Sequence, residues 1–149
     1  ELNVGVFLCD LNGANSEILV HAQPALYCLD TFDADEQRMV LASSNERTLY
    51  VYTFFTREWQ TLIVPLEIPN ITGLSIVGDC VLIRSPPQVI CYDLVRCGIR
   101  FNAYVPDLIG HCKWPFNAFR ACTRDGQTTL YLATMNNDIA AIELCDAVN

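Results

Sequence analysis

Short apolar segments separated by polar turns run along the whole chain. The segments are rich in Val, Ile, Leu, Tyr, Phe and Thr, and the breaks between them are rich in Asn, Gly, Pro, Asp and Ser. This alternation is typical of strands joined by tight turns. No stretch repeats apolar residues at helical spacing over three turns. The pattern therefore predicts an all-β fold. Strands are expected at residues 4–10, 16–22, 25–32, 38–44, 49–55, 58–64, 72–78, 80–85, 89–95, 99–105, 117–123, 128–134 and 138–144.

A unit of four strands recurs along the chain with a period of about 46 residues. One copy reads ALYCLDTF, RMVLASS, LYVYTFF and EWQTLIV, and the next reads ITGLSIVG, CVLIRS, QVICYDL and GIRFNAYV. A third copy begins with NAFRACT, TTLYLAT and DIAAIEL. The repeat divides a single β-rich domain, residues 1–149, into successive units. These are a partial unit 1–24, complete units 25–70 and 71–116, and a partial unit 117–149.

The order of strands within each unit resembles a blade of a β-propeller of the WD40 or kelch kind. Tyr92-Asp93 stands where that family places Trp-Asp or Tyr-Asp, and Trp59 stands where kelch blades place a Trp. The resemblance implies antiparallel four-stranded blades, with strands a to d running outward from a central axis. It does not separate WD40 from kelch. Thirteen strands fall short of the four to eight blades of a closed ring, so a partial or partner-completed β-propeller is expected.

A second resemblance involves the first twenty residues. Asn3 to Asp10, followed by Glu17 to Val20, is similar to the strand pair of a polo box. That module is a six-stranded antiparallel sheet crossed by a helix, and it binds protein partners. Two divergent polo boxes in tandem would fill about this length, which keeps a docking module of a cell-division or kinetochore complex as an alternative.

The charge balance limits the classes of partner. The formal net charge is −8, from nine basic and seventeen acidic residues. Binding to nucleic acid or to an anionic membrane needs clustered Lys and Arg, whereas this chain has one Lys and scattered Arg. No apolar run approaches the roughly 20 residues that span a bilayer. The Glu1-Leu2-Asn3 start shows no positively charged region of a signal peptide.

Eight cysteines leave two interpretations of the compartment. Most of them lie within apolar strand patterns, where a free thiol behaves as a small buried hydrophobe. This favours reduced thiols in an intracellular protein, in the cytoplasm or nucleus. Alternatively, an even count together with the Asn70-Ile71-Thr72 sequon describes a secreted, disulfide-bonded binding domain.

Candidate chemistry is sparse. The chain lacks a nucleophile elbow, a phosphate-binding loop and a dinucleotide fingerprint. His111 and Cys112, with Cys97 and Cys122, lack the ligand spacing of a zinc site. The acidic loop 33–36 lacks the spacing of a calcium loop. We therefore expect no catalytic residue, no metal and no cofactor.

The loops provide the candidate binding residues. In a propeller, the turns between strands b and c and the connections between units lie on one face, which is the family's usual binding face. The sequence therefore predicts a non-enzymatic protein-interaction scaffold, a subunit of a larger assembly, that binds a partner protein through this face. The predicted contact residues are Glu46, Arg47, Pro86, Pro87, His111, Lys113, Trp114, Phe116, Asn136 and Asn137.

Overall fold

A computed structural model describes residues 4–9, 12, 16–22, 28–31, 38–43, 47–65, 67–68, 71–105, 118–133 and 138–144. Thirteen β-strands lie in these ranges, each at a position where the apolar pattern predicts one. The all-β prediction is confirmed. The strands are β1 (Val4–Cys9), β2 (Ser16–Ala22), β3 (Cys28–Thr31), β4 (Arg38–Ser43), β5 (Thr48–Thr53), β6 (Glu58–Ile63), β7 (Gly73–Val77), β8 (Cys80–Ser85), β9 (Gln88–Asp93), β10 (Gly98–Tyr104), β11 (Ala118–Arg124), β12 (Gln127–Ala133) and β13 (Ile139–Leu144).

The strands form separate antiparallel sheets in which neighbours in sequence are neighbours in space. We call β3-β4-β5-β6 sheet 1, β7-β8-β9-β10 sheet 2 and β11-β12-β13 sheet 3, while β1 and β2 form a two-stranded pair. None of the described sheets closes on itself. Each sheet is a meander, because tight turns return the chain beside the strand that it has just left.

Sheet 2 lies between two apolar cores. Val81, Ile83 and Ile90 pack toward the core that sheet 1 shares, whereas Leu82 and Val89 pack toward the core that sheet 3 shares. All of these side chains are fully buried. A strand buried on both faces has no polar face, so residues 80–83 of β8 and 89–92 of β9 are continuous apolar runs rather than alternating ones.

Neighbouring sheets meet through their first strands. β7 lies against β3 of sheet 1 on one side and against β11 of sheet 3 on the other. The buried hydroxyl Oγ of Ser75 on β7 accepts a hydrogen bond of 3.0 Å from the backbone N–H of Ala121 on β11. These two residues are 46 positions apart, which is the period of the sequence repeat. The repeat therefore corresponds to sheets whose first strands lie side by side.

Sheets 1 and 2 are also joined by an ion pair. Arg38 at the start of β4 donates from Nη2 to Oδ1 of Asp79, 3.0 Å away, in the turn between β7 and β8. Arg38 is buried and Asp79 is half exposed. The bond holds the start of β4 in sheet 1 beside the turn that precedes β8 in sheet 2. The second strands of the two sheets therefore begin at the same end.

A glycine allows sheets 2 and 3 to approach closely at β7. A Cβ atom on Gly73 would lie 2.9 Å from Cε1 of Phe119 on β11 and 3.3 Å from Nε of Arg84 on β8. Phe119 packs against the core between the two sheets, and Arg84 is held by Thr72 through both its Nε and its Nη2. Neither neighbour can therefore move away without losing contacts.

We predict that Gly73→Ala destabilises the fold by about 1–3 kcal/mol, the usual cost of overpacking. The control is Gly98→Ala, because a Cβ at Gly98 meets no atom within 4 Å. Urea unfolding followed by far-UV circular dichroism measures both variants. Equal unfolding midpoints for the two variants would show that the approach at Gly73 is not tight.

Candidate functional site

Three of the predicted contact residues lie in the described part of the chain. Arg47 precedes β5, and Pro86 and Pro87 form the turn between β8 and β9. Arg47 is half-buried with a left-handed φ of 50°, and Pro87 is exposed. The other predicted residues lie outside the described ranges. They are Glu46, His111, Lys113, Trp114, Phe116, Asn136 and Asn137.

Both four-stranded sheets fix the chain in the same way beside the turn between their second and third strands. In sheet 1, Val64 donates its backbone N–H to the carbonyl of Arg47 at 2.9 Å. In sheet 2, Val105 donates its N–H to the carbonyl of Pro87 at 3.0 Å. Both valines are buried. The turn and the start of the connection to the next sheet therefore lie at the same end of each sheet.

The end of the sheet that carries the turn between the second and third strands exposes a large apolar side chain in both sheet 1 and sheet 2. Ile63, the last residue of β6, is 77% exposed, and Tyr104, the last residue of β10, is 47% exposed. The two occupy equivalent places, since each pairs with the first residue of the preceding strand, Thr48 or Gln88. We define the rim as Arg47, Ile63, Pro86, Pro87, Gln88 and Tyr104.

Sequence reasoning missed Ile63 and Tyr104. Both fall within predicted strands, 58–64 and 99–105, and outside the predicted set of contact residues. The sequence carries a signal for this, because each residue stands immediately before a buried valine, Val64 or Val105, that follows the outer strand. Alternation places such a residue on the opposite face from its buried neighbour.

The connection between sheets 1 and 2 is packed. Ile68 and Ile71 are fully buried in the core between the sheets. Thr72 is held at the start of β7, because its N–H and its hydroxyl both donate to the carbonyl of Arg84, at 2.9 and 3.1 Å. This connection thus packs both isoleucines into the core. The connection between sheets 2 and 3, residues 106–116, lies outside the described ranges.

The opposite end of each four-stranded sheet also exposes one apolar residue. Phe55 between β5 and β6 is 91% exposed, and Val95 between β9 and β10 is 68% exposed. Each is the second residue of a four-residue turn whose last residue has a left-handed φ, 57° at Arg57 and 55° at Cys97. These residues provide matched controls for the rim, because they are apolar, exposed and repeated in both sheets.

Tyr92 and Asp93, the residues of the propeller resemblance, have structural roles. Tyr92 is buried in the core between sheets 1 and 2. Asp93 is 2% exposed. Its Oδ1 accepts the backbone N–H groups of Val95 and Arg96 at 2.9 and 2.7 Å, and its Oδ2 accepts from Nε of Arg100 at 2.8 Å. Asp93 therefore fixes the turn and ties β9 to β10.

These contacts set the acidity of Asp93. The backbone N–H of Arg96, the Arg100 guanidinium and the N–H of Val95 lower the pKa of the Asp93 carboxyl, and partial desolvation opposes them. Arg100 reaches Asp93 from a β-bulge, since Ile99 pairs with Tyr92 and Phe101 pairs with Cys91. The bulge inserts Arg100 as an extra residue and aims its side chain at the carboxylate.

Trp59 also packs within the fold. Its ring centroid lies 4.8 Å from that of Tyr52, and both belong to a small cluster with Met39, Tyr50 and Phe54 on one face of sheet 1. Trp59 is half-buried there. The position that resembles kelch blades is thus occupied by a packing residue.

Four cysteines whose side chains are described are free thiols. Cys80 and Cys91 are buried on adjacent strands, and Cys97 and Cys122 are exposed. A hydrogen bond with Cys80, together with burial, raises the pKa of the Cys91 thiol. The same hydrogen bond with Cys91 lowers the pKa of Cys80, against the effect of burial. Burial keeps alkylating agents away from both of these thiols, whereas exposed thiols react.

Two further properties concern the described residues alone. Within the described ranges, no three side chains of His, Cys, Asp or Glu come together as metal ligands. In the same part of the chain, no helix has the length and apolar character needed to cross a membrane.

Comparison of the sequence with protein-family models and with curated proteins gives no match. Function is therefore inferred from geometry.

We predict that Asp93→Asn destabilises the protein by about 2 kcal/mol at pH 7, because the charged hydrogen bonds are lost. Since folding lowers the pKa of Asp93, the ionised carboxylate stabilises the fold at neutral pH. That contribution is lost as the pH falls from about 4, the ordinary Asp value, through the lowered folded pKa. Denaturant unfolding of wild type and variant between pH 7 and pH 2.5 should show the difference shrinking.

Asp125→Asn is the matched control for this measurement. Asp125 also lies in a turn, but its carboxylate and the Arg124 that it faces at 3.8 Å are both almost fully exposed. An exposed pair contributes little to stability, so this variant should match wild type at every pH. A pH-independent loss in Asp93→Asn would contradict the electrostatic explanation.

We predict a two-class response to a thiol reagent. In the folded protein Cys97 and Cys122 should be alkylated by iodoacetamide within minutes, and Cys80 and Cys91 should react only after denaturation. Peptide mass spectrometry assigns the modified positions. Equal labelling of all four residues in the folded state would mean that the strand pair β8–β9 opens readily, contrary to its burial.

Proposed function

We propose that this chain is a non-enzymatic scaffold that binds a partner protein through the rim, with sheets 1 to 3 acting as consecutive blades of a partial or partner-completed β-propeller. The arrangement of the sheets supports the fold part of the proposal. First strands of consecutive sheets lie side by side, and the contacts of Ser75 and Arg38 link sheets one repeat apart. A radial arrangement requires such contacts between inner strands.

The observation that carries the binding proposal is the repetition of exposed apolar side chains at the rim. Ile63 and Tyr104 are exposed at equivalent positions in two sheets. In each sheet the next residue is a valine whose backbone N–H donates a hydrogen bond to the neighbouring turn, which fixes the chain at this point. A rigid platform keeps the entropic cost of binding low. Aromatic residues on such a platform are typical anchors of protein interfaces.

The chemistry of the rim indicates the kind of partner. Tyr104 offers a ring and a hydroxyl, Pro87 is exposed beside it, and Arg47 supplies the charge at the equivalent place in sheet 1. This mixture suits a protein surface with an apolar cleft and a hydrogen-bond acceptor. We propose an intracellular location, which the free exposed thiols of Cys97 and Cys122 support.

The experiment compares tagged wild type with Tyr104→Ser and with Val95→Ser in quantitative affinity capture. Both substitutions shorten an exposed apolar side chain of the β9–β10 hairpin, but Tyr104 lies at the rim and Val95 lies at the opposite end. We expect Tyr104→Ser to reduce recovery of a specific partner at least about tenfold, the effect of losing a hot spot of roughly 1.4 kcal/mol or more.

Val95→Ser should recover the partner as wild type does, and both variants should keep the wild-type thermal midpoint. Direct titration of the captured protein with the purified variants then measures the change in dissociation constant. Equal loss in both variants, or unchanged binding in Tyr104→Ser, would refute the assignment of binding to the rim.

A further inference from the structure

The two outer strands of the complete sheets differ in regularity. β6 pairs with β5 residue by residue over its whole length, whereas the pairing of β10 with β9 shifts at Arg100. A bulge twists an edge away from new partners, and Lys or Pro within an edge strand has the same protective effect. β6 reads EWQTLI and has none of these features. In the described part of the chain, β6 has a strand neighbour on one side only.

The hydrogen-bond pattern shows which groups of β6 face outward. The bond from the N–H of Val64 to the carbonyl of Arg47 continues the β5–β6 register and marks that pair as a hydrogen-bonded one. Such pairs alternate along an antiparallel ladder. Leu62, Gln60 and Glu58 therefore bond to β5. Trp59, Thr61 and Ile63 turn their backbone N–H and C=O groups toward the open edge.

We propose that β6 pairs with β6 of a second copy of this chain in an isologous antiparallel dimer. A twofold axis at Thr61 places Thr61 opposite Thr61 of the other copy, and Trp59 opposite Ile63 of the other copy. This register uses all three outward-facing residues of each strand. Shifting the axis to a neighbouring residue leaves an outward-facing group without a strand partner.

The side chains are self-complementary in this register. Aromatic with β-branched and Thr with Thr are favourable pairs when they lie directly opposite each other in a sheet. The strand has a single charge, Glu58, and the register places it opposite Val64 of the second copy rather than opposite another carboxylate. Trp59 of the second copy would cover the exposed Ile63, so the dimer and a rim partner would compete for this side chain, whereas Tyr104 would stay accessible.

The test is sedimentation equilibrium of the purified full chain, of mass 16.7 kDa, from about 5 to 500 µM. We expect the apparent mass of wild type to rise toward twice the monomer mass within this range, because a five-residue strand pair forms an interface below the roughly 1,200 Å² of stable complexes. Thr61→Lys should weaken the dimer at least about tenfold, since two ammonium groups would then meet at the axis. Thr61→Glu should do the same.

An equimolar mixture of Thr61→Lys and Thr61→Glu should dimerise again, because the axis then joins opposite charges. Gln60→Lys is the matched control, since Gln60 bonds to β5 and meets Leu62 of the second copy. It should dimerise within about threefold of wild type. Circular dichroism and thermal midpoints equal to those of wild type verify that each variant is folded.

Three outcomes would overturn the proposal. If wild type is monomeric at every concentration, β6 does not pair with a second copy, and its open edge is available to an extended strand of another protein. A dimer that persists in Thr61→Lys would place the contact on a different surface. Failure of the mixed charge variants to associate would show that Thr61 does not face its own copy.

Discussion

Burial of sheet 2 on both faces is the constraint on which the rest of the structure depends. β8 and β9 present apolar side chains alternately to sheet 1 and to sheet 3, so neither strand has a face that could meet water. Exposing either face would return several large apolar side chains to water, at a cost of roughly 25 cal/mol for each Å² of apolar surface. Sheet 2 therefore requires a sheet on each side. The repeat in the sequence supplies both from the same chain.

Apolar packing of this kind does not by itself fix how the sheets are oriented, and a few polar contacts do so. The hydroxyl of Ser75 is buried and bonded to the backbone of the next sheet, and the guanidinium of Arg38 reaches the first turn of sheet 2. A buried donor or acceptor left without its partner costs about 1–3 kcal/mol, so sliding or reversing a sheet is disfavoured. The result is a common orientation in which the rim residues of sheets 1 and 2 lie at corresponding ends.

Local signals explain how much of this could be predicted. The thirteen strands and the period followed from apolar runs and turn residues, because alternation and turn chemistry act over a few residues. The exposure of Ile63 and Tyr104 depends on what covers each strand, which is a tertiary property. The burial of Ile68 in a connection between sheets is tertiary for the same reason. Tyr92-Asp93 was recognisable as a motif, but its role in fixing a turn became clear only from the contacts of Arg100.

The bulge at Arg100 links stability to the behaviour of the sheet edges. In sheet 2, a carboxylate at the end of β9 attracts an arginine, and accommodating that arginine costs one extra residue in β10. At the end of β5, the corresponding residue is Thr53, which has no charge to draw in a guanidinium, and β6 keeps its regular register. The Asp93–Arg100 pair that fixes the turn of sheet 2 thus lies at the irregularity of its outer strand, whereas β6 of sheet 1 pairs regularly along its whole length. This difference in regularity between the two repeat units is why we place the proposed dimer contact at β6 rather than at β10.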